Sequence, residues 1–292
     1  MRTSSSSVGQ RKRKWSWLHR RGFYRLLSWV IALFIAGESQ FAATAEDAAP
    51  QPVGAAAEQG WRLTFQDEFD GGQVDRSKWN DHFQGRRTND PELQYYAEDG
   101  YEVSNGSLHL KAEKRSVEGK RYTSGMIGSF EEFSQKYGYF EIRARCPQGK
   151  GLWSAFWLLP EVEDRSKPDW WKQYWPQEID VLELLGHEPN KAYFSVHWLG
   201  EEGKHSFNTQ SWIGPDFSDG YHTFAVHWEP GKCVWFVDGI ERARAAEGVP
   251  DVAMFMLVNL AVGGDWPGSP AEETQFPASL DVDYIRVWQR SE

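Results

Sequence analysis

Cysteine is scarce in this chain, which has only two, Cys146 and Cys233, among 292 residues. Two cysteines cannot build the multi-disulfide framework that stabilises small secreted domains. They could still form a single disulfide in an exported protein. We predict that they are buried free thiols instead.

Basic residues are also few outside the N-terminus. Residues 1–45 hold eight of the 32 lysines and arginines but only one of the 42 acidic residues. The remainder of the chain is therefore strongly acidic, and it repels phosphate backbones, anionic membranes and sulfated polysaccharides. We expect no nucleic-acid partner.

A long hydrophobic run is missing as well. The apolar run 26–36 follows a basic stretch that ends at Arg25, and it is shorter than the roughly 20 residues that span a bilayer. Small residues follow at Ala43 and Ala45, where a signal peptidase cuts. We predict a signal peptide over 1–45 and no stable membrane association after its cleavage; the alternative is an uncleaved anchor.

The leader also suggests an export route. Arg20 and Arg21 stand just before the apolar run, as in bacterial twin-arginine signals. This route exports proteins that have folded in the reducing cytoplasm, which is one reason to expect free thiols. Residues 46–58 are rich in Ala, Pro and Gln and are typical of a flexible linker. We expect a periplasmic or extracellular protein.

Helical patterns and internal repeats are scarce after residue 58. Short aromatic and β-branched runs with period-two alternation dominate, and Gly, Asn, Asp and Pro separate them. Examples are 139–145, 223–228, 233–237 (before Asp238-Gly239) and 282–288. These patterns predict an antiparallel β-sandwich with one core.

Tryptophan, in contrast, is abundant, with 16 residues. The indole N–H needs a partner when it is buried, so tryptophan is a demanding core residue. Flat indoles on a surface can stack on sugar rings. An aromatic core and a sugar-binding surface both remain open on composition alone.

Three acids stand among aliphatic residues in the segment 175–186. In a regular strand Glu178 and Asp180 share a face, and Glu183, five residues from Glu178, points to the other face. A β-bulge around Val181 and Leu182 would return Glu183 to the face of the other two acids. An amphipathic helix with Ile179, Leu182 and Leu185 as its apolar stripe is the alternative.

The pattern Glu178-x-Asp180-x-x-Glu183 resembles the catalytic signature of glycoside hydrolase family 16 in its bulged form. Further ordered segments are similar to that family, although Gln177 stands where its members often have glycine. They are 63–69, 92–96, 137–144, 151–157, 259–266 and 283–287. The resemblance implies a catalytic domain over 59–292, an all-β concanavalin A-like jelly roll with a substrate groove on its concave sheet.

The resemblance also implies roles for individual residues. Glu178 would be the nucleophile of a retaining glycosidase, Glu183 the acid/base and Asp180 the residue that orients the nucleophile. Catalysis would need no cofactor, although Glu68 and Asp283 resemble positions linked to a structural calcium ion in some relatives. Substrate-binding residues would be Trp153, Trp157, Trp175, His197 and Trp266; packing roles for the tryptophans and His197 are the alternative.

The implied activity is an endo-β-glycosidase acting as a monomer on β-1,3- or β-1,3-1,4-glucan. The same chemistry could act on a bacterial exopolysaccharide or a galactan, and it could transfer the sugar instead of hydrolysing it. A non-catalytic, lectin-like module is the competing interpretation. Such a module would have no reason to retain all three acids.

Overall fold

A computed structural model describes residues 51–52, 60–83, 85–162 and 174–290. These residues form sixteen β-strands, a short 3₁₀ turn (Glu201–Gly203) and no α-helix. No helix in these ranges is long and apolar enough to cross a bilayer. The strands are β1 (Trp61–Asp67), β2 (Gln94–Tyr96), β3 (Tyr101–Ser104), β4 (Ser107–Ala112), β5 (Tyr122–Ser124), β6 (Met126–Gly128), β7 (Gly138–Arg145), β8 (Leu152–Pro160), β9 (Glu178–Leu185), β10 (Lys191–Leu199), β11 (His205–Ile213), β12 (His222–Glu229), β13 (Lys232–Val237), β14 (Ile240–Ala245), β15 (Met254–Val262) and β16 (Ala278–Arg290).

Two antiparallel sheets face each other across one core. The eight-stranded sheet runs β14-β13-β12-β7-β16-β4-β3, with β1 paired to β16, and the six-stranded sheet runs β11-β10-β9-β8-β15-β6. A small parallel pair, β2–β5, lies beside them. The predicted antiparallel β-sandwich is confirmed, and the four runs singled out in the sequence fall within β7, β12, β13 and β16.

Strand β16 joins most of the larger sheet. It pairs along one edge with β7, and along the other edge with β4 through its first residues and with β1 through its last. The 13 residues of β16 therefore hold together strands that lie far apart in the sequence.

Alternation along the strands separates the core from the outer face. On β8, Leu152, Phe156 and Leu158 belong to the main core cluster between the sheets. Trp153 and Trp157 project to the opposite face, as the period of two requires. The outer face of the six-stranded sheet is thus the surface on which a site can form.

The predicted turn at Asp238-Gly239 joins β13 to β14. Both residues have positive φ, 50° and 73°. A two-residue hairpin turn favours this conformation because its twist matches that of the flanking strands. Glycine adopts it without strain, which explains why the dipeptide marks the turn.

Two other predictions concern the cysteines and the N-terminal segments. Cys146 and Cys233 are buried and unpaired, which confirms the prediction of free thiols. The predicted signal peptide over 1–45 lies outside the described residues, as does the predicted linker over 46–58 apart from residues 51–52.

Candidate active site

Strand β9 contains the bulge that the spacing of its acids requires. On β8, Phe156 is opposite Leu182 and Trp157 is opposite Asp180, so Val181 has no residue of its own across the pair. The ladder to β10 shifts at the same point. Glu178, Asp180 and Glu183 consequently face the same cavity, and the helix alternative is wrong.

Contacts on the core-facing side of the six-stranded sheet hold this bulge in place. Val181 and Leu182 both pack into the core between the sheets. The indole of Trp235, on β13 of the opposite sheet, donates a hydrogen bond of 2.8 Å from Nε1 to the backbone carbonyl of Asp180. A bulge interrupts the strand ladder, and this bond from a fully buried tryptophan gives the carbonyl a partner there.

The acids lie in a cavity on the outer face of the six-stranded sheet. Its wall combines aromatic side chains with a few polar groups, which is the composition of a small-molecule or sugar site. Besides the three acids, the lining includes Phe83, Asn89, Glu92, Trp153, Trp157, Tyr174, Trp175 and Asn259.

Burial and mutual repulsion set the protonation of the cluster. Burial first, then the negative charges of Asp180 and Glu183, raise the pKa of Glu178 well above its ordinary value. Burial and the charge of Asp180 likewise raise the pKa of Glu183, against the opposing effect of the hydrogen bond from the Ser195 hydroxyl. Three neighbouring carboxyls cannot all ionise at low cost, so the cluster retains a proton near neutral pH.

His197 lies beside two of the acids. Its Nε2 is 3.1 Å from Asp180 Oδ2 and 4.0 Å from Glu178 Oε1. Its Nδ1 is 2.8 Å from Nε2 of His205, so a second histidine governs which nitrogen of His197 carries a proton. The structure thus brings His197 to the acid cluster, as predicted, and adds His205, which the sequence analysis did not identify.

The four predicted tryptophans occupy different places around the cavity. Trp153, Trp157 and Trp175 line it, whereas Trp266 lies at its rim. Trp266 packs edge-on against Trp153 and Tyr193, with ring centroids 5.3 and 4.8 Å apart, and is 40% exposed. Other tryptophans are fully buried, including Trp79, Trp228, Trp235 and Trp288. The tryptophans therefore serve both the core and the cavity.

A buried polar network that begins on the neighbouring strand β15 supports Trp157. Trp157 Nε1 donates to Asn259 Oδ1 (2.8 Å), and Asn259 Nδ2 donates to the Tyr96 hydroxyl (3.0 Å). Tyr96 in turn donates to the carboxyl of Glu92 (3.3 Å), whose pKa is raised by burial. Residues 92–96 and 259–266 both lie in segments that resemble the family, but nothing in the sequence indicates that the two segments meet.

The two carboxylates of the calcium expectation pair with arginines. Arg286 binds both oxygens of Glu68, at 2.8 and 2.7 Å, and Arg143 pairs with Asp283. The structural calcium ion therefore stays a prediction. In the described ranges, one group has ligand atoms close enough to hold a metal, namely Glu178, Asp180 and His197, which belong to the acid cluster.

Comparisons with known proteins agree on one family. The sequence model described as "Glycosyl hydrolases family 16" matches residues 88–286. A beta-glucanase of Rhodothermus marinus is 35% identical over 251 residues, and the match covers 78% of this chain and 85% of that protein. An endo-1,3-1,4-beta-glycanase of Rhizobium meliloti is 37% identical over 214 residues, and the match covers 68% of this chain and 43% of that longer protein.

Solved structures give the same result. The catalytic domain of an endo-1,3-beta-glucanase (laminarinase) from Thermotoga petrophila superposes with a TM-score of 0.69 at 34% identity. The match covers 80% of this chain and 99% of that domain. With the bulged acid strand and the tryptophan-lined cavity, these similarities establish that the chain belongs to glycoside hydrolase family 16 and is a glycoside hydrolase.

Proposed function

We propose that this protein is a retaining endo-β-glucanase that hydrolyses β-1,3- or mixed β-1,3-1,4-glucan. The observation that carries the proposal is the placement of Glu178, Asp180 and Glu183 on one face of β9, inside a cavity lined by indoles. The names of the beta-glucanase from Rhodothermus marinus and the laminarinase from Thermotoga petrophila support a glucan substrate.

The first step forms a covalent intermediate. A carboxylate oxygen of Glu178 attacks the anomeric carbon, and Glu183 gives its proton to the glycosidic oxygen as the bond to the leaving sugar breaks. The raised pKa of Glu183 keeps that proton available near neutral pH. Asp180, two residues away on the same face of β9, orients Glu178.

The second step returns the enzyme to its starting state. Glu183, now ionised, takes a proton from water, whose oxygen attacks the anomeric carbon and releases Glu178. Two inversions leave the sugar with its original β configuration. If a sugar hydroxyl replaces water, the same intermediate yields a transfer product.

The test is release of oligosaccharides from a panel of polysaccharides by the purified protein. The panel contains laminarin, barley mixed-linkage glucan, a rhizobial-type exopolysaccharide and agarose. We expect products from the two glucans and a loss of at least about 10³-fold in Glu178→Gln. A matched control is Glu241→Gln, which removes a carboxyl from an ion pair with Arg244 on β14 and should cut normally. Binding without cleavage would favour a lectin-like module, and equal activity in Glu178→Gln would eliminate Glu178 as nucleophile.

Azide separates the roles of the two glutamates. With an activated aryl β-glucoside, Glu183→Ala should form the intermediate and then accept azide, which gives a β-glucosyl azide. Glu178→Ala lacks the nucleophile, so azide should attack directly and give the α-glucosyl azide. The reverse pairing of variant and product would reverse the assignments.

A mixed-linkage substrate is the second candidate. The glycanase of Rhizobium meliloti, named for 1,3-1,4-β activity, is 37% identical to this chain. A higher kcat/KM on barley glucan than on laminarin would favour it. A preference for the exopolysaccharide or for agarose would move the protein to another substrate class.

We also infer that the protein is exported. The basic stretch, the apolar run and the small residues before Glu46 support cleavage after Ala45. The N-terminal sequence of the protein recovered outside the cytoplasm tests this site. A retained leader would indicate a membrane anchor instead.

A further inference from the structure

The catalytic face continues beyond the cavity, across two more strands. On β9 and β10, Glu178 is directly opposite His197. On β10 and β11, His197 is directly opposite Phe207. Directly opposed residues on neighbouring strands point to the same side of a sheet. Glu178, His197 and Phe207 therefore form one row that leads from the acid cluster to the edge strand β11.

Aromatic side chains cover the outer end of this row. The rings of His197 and Phe207 are stacked, with centroids 5.7 Å apart and planes at 27°. His205 contacts Phe207 at 5.9 Å and Trp175 at 5.8 Å between ring centroids. Phe207, His205 and Trp175, here called the β11 platform, thus form a connected aromatic surface next to the acids.

The β11 platform is open to solvent. Phe207 is 62% exposed and Trp175 is 53% exposed. The core does not need Phe207, because Trp212, on the alternate face of β11, packs against the core instead. Connected exposed aromatic groups bordered by polar residues mark binding surfaces more often than stability features.

The chemistry of the surface fits a neutral sugar. A glucosyl ring has apolar C–H faces that cover an aromatic ring and hydroxyls at its edge that can reach imidazole nitrogens. The cavity extends from the acids over β8 and β15 and includes Trp175, whereas Phe207 and His205 lie on the β10 and β11 side of the acids. A polysaccharide chain cut in its interior must occupy both sides of the cleavage point.

We propose that the β11 platform is a binding site for sugar rings of the substrate chain on the β10 and β11 side of the acids, with Phe207 as its main stacking residue and Trp175 shared with the cavity. This inference rests on the proposed function, since it takes the glucan as the occupant. Phe207 and His205 are substrate-positioning residues here, not catalytic ones.

Kinetics of Phe207→Ala on substrates of two sizes test the proposal. We expect kcat/KM on laminarin or barley glucan to fall about tenfold, because a stacked ring loses its partner. An activated aryl β-glucoside, which has one sugar ring instead of a chain, should lose much less of its cleavage rate. Phe207→Tyr should restore polymer cleavage, and the lengths of the early products should shift in Phe207→Ala.

Ile213→Ala is the matched control. Ile213 is 67% exposed on the same face of β11 but lies at the other end of the strand, opposite Lys191. Ile213→Ala should leave both kcat/KM and the lengths of the products unchanged. Equal polymer kinetics in Phe207→Ala and wild type would overturn the proposal. A Phe207→Ala protein with a changed oligomeric state and unchanged kinetics would also overturn it, because the surface would then be a contact between copies of the chain.

Affinity electrophoresis in gels containing each polysaccharide separates this inference from the proposed function. If the wild-type protein cuts no polymer, the proposed function fails, but retardation in the gel still reports binding. Retardation that is lost in Phe207→Ala and kept in Ile213→Ala would support the β11 platform. Retardation that is the same in all three proteins, or absent in all three, would eliminate it.

Discussion

Glu178 is placed where ionisation is costly, although its proposed role requires a negative charge. Burial and the charges of two neighbouring acids raise its pKa. A carboxyl whose pKa is higher in the folded state than in the unfolded chain binds more protons when folded. The contribution of Glu178 to the free energy of unfolding is therefore complete below its ordinary pKa and is lost as pH rises through the raised pKa of the folded state.

The first prediction follows from that sign. Glu178→Gln should abolish cleavage yet unfold with a free energy about 1 kcal/mol or more above wild type at pH 7, because a neutral amide removes the repulsion. The difference should vanish below the ordinary pKa of 4.5 and grow as pH rises. Urea unfolding at several pH values measures it.

Glu188→Gln is the control of opposite sign. A hydrogen bond from Tyr193 lowers the pKa of Glu188, so its stabilising effect is present above the ordinary pKa and is lost in acid. Glu188→Gln should therefore not be more stable than wild type at pH 7. A Glu178→Gln protein that is less stable than wild type at pH 7 would contradict the repulsion argument.

Individual residues of the site were predictable to different degrees. The three acids stood out because an ordinary core strand does not tolerate such charges. Phe207, His205 and Asn259 did not stand out, because each gains its place from pairing between strands that the sequence does not specify. Trp266 was identified from its segment, but its position at the rim depends on contacts with Trp153 and Tyr193.

At the scale of the element, the bulge in β9 is the feature on which the site depends. Its presence could be inferred from the five-residue offset between Glu178 and Glu183. The choice between strand and helix could not, because Ile179, Leu182 and Leu185 also have helical spacing. The neighbouring strands decide it, since β8 and β10 provide backbone partners on both sides of β9.

The hydrogen bond from Trp235 to the bulge leads to the second prediction. Trp235→Phe removes the indole donor to the Asp180 carbonyl, and the loss of a buried hydrogen bond costs about 1–3 kcal/mol. Because that carbonyl belongs to the bulge that aims Glu183, we expect a lower kcat with little change in KM. Steady-state kinetics and denaturant unfolding measure the two effects.

Trp228→Phe provides the comparison. Trp228 is equally buried on the neighbouring strand β12, and its indole donates to the Pro250 carbonyl at 2.9 Å, away from β9. It should lose similar stability and keep kcat. A loss of kcat of the same size in both variants would show that the effect of Trp235→Phe is general destabilisation.

At the scale of the whole molecule, the core keeps both thiols away from solvent. Burial raises the pKa of Cys146 to about 12 and raises that of Cys233 as well. The thiolate is the reactive form, so both groups should be inert in the folded protein. This accords with a chain that needs no disulfide in either a reducing or an oxidising compartment.

The third prediction concerns these thiols. A thiol-reactive chromogenic disulfide should label neither cysteine in the native protein and two per chain in denaturant. A reducing agent should leave Tm unchanged, because there is no bond to break. Labelling of fewer than two thiols after denaturation, or a Tm that falls on reduction, would indicate a disulfide in the isolated protein.

The strand order of the larger sheet was not predictable, since period-two patterns identify strands without naming their partners. Its consequence lies in the folding pathway. Strand β16 pairs with β1, more than 200 residues earlier, and with β4 and β7. Contacts of such high sequence separation slow folding, because the chain entropy of closing long loops is lost before the contacts form. The eight-stranded sheet therefore cannot close on the ribosome until β16 has emerged, and β1, β4 and β7 stay without their shared partner until then.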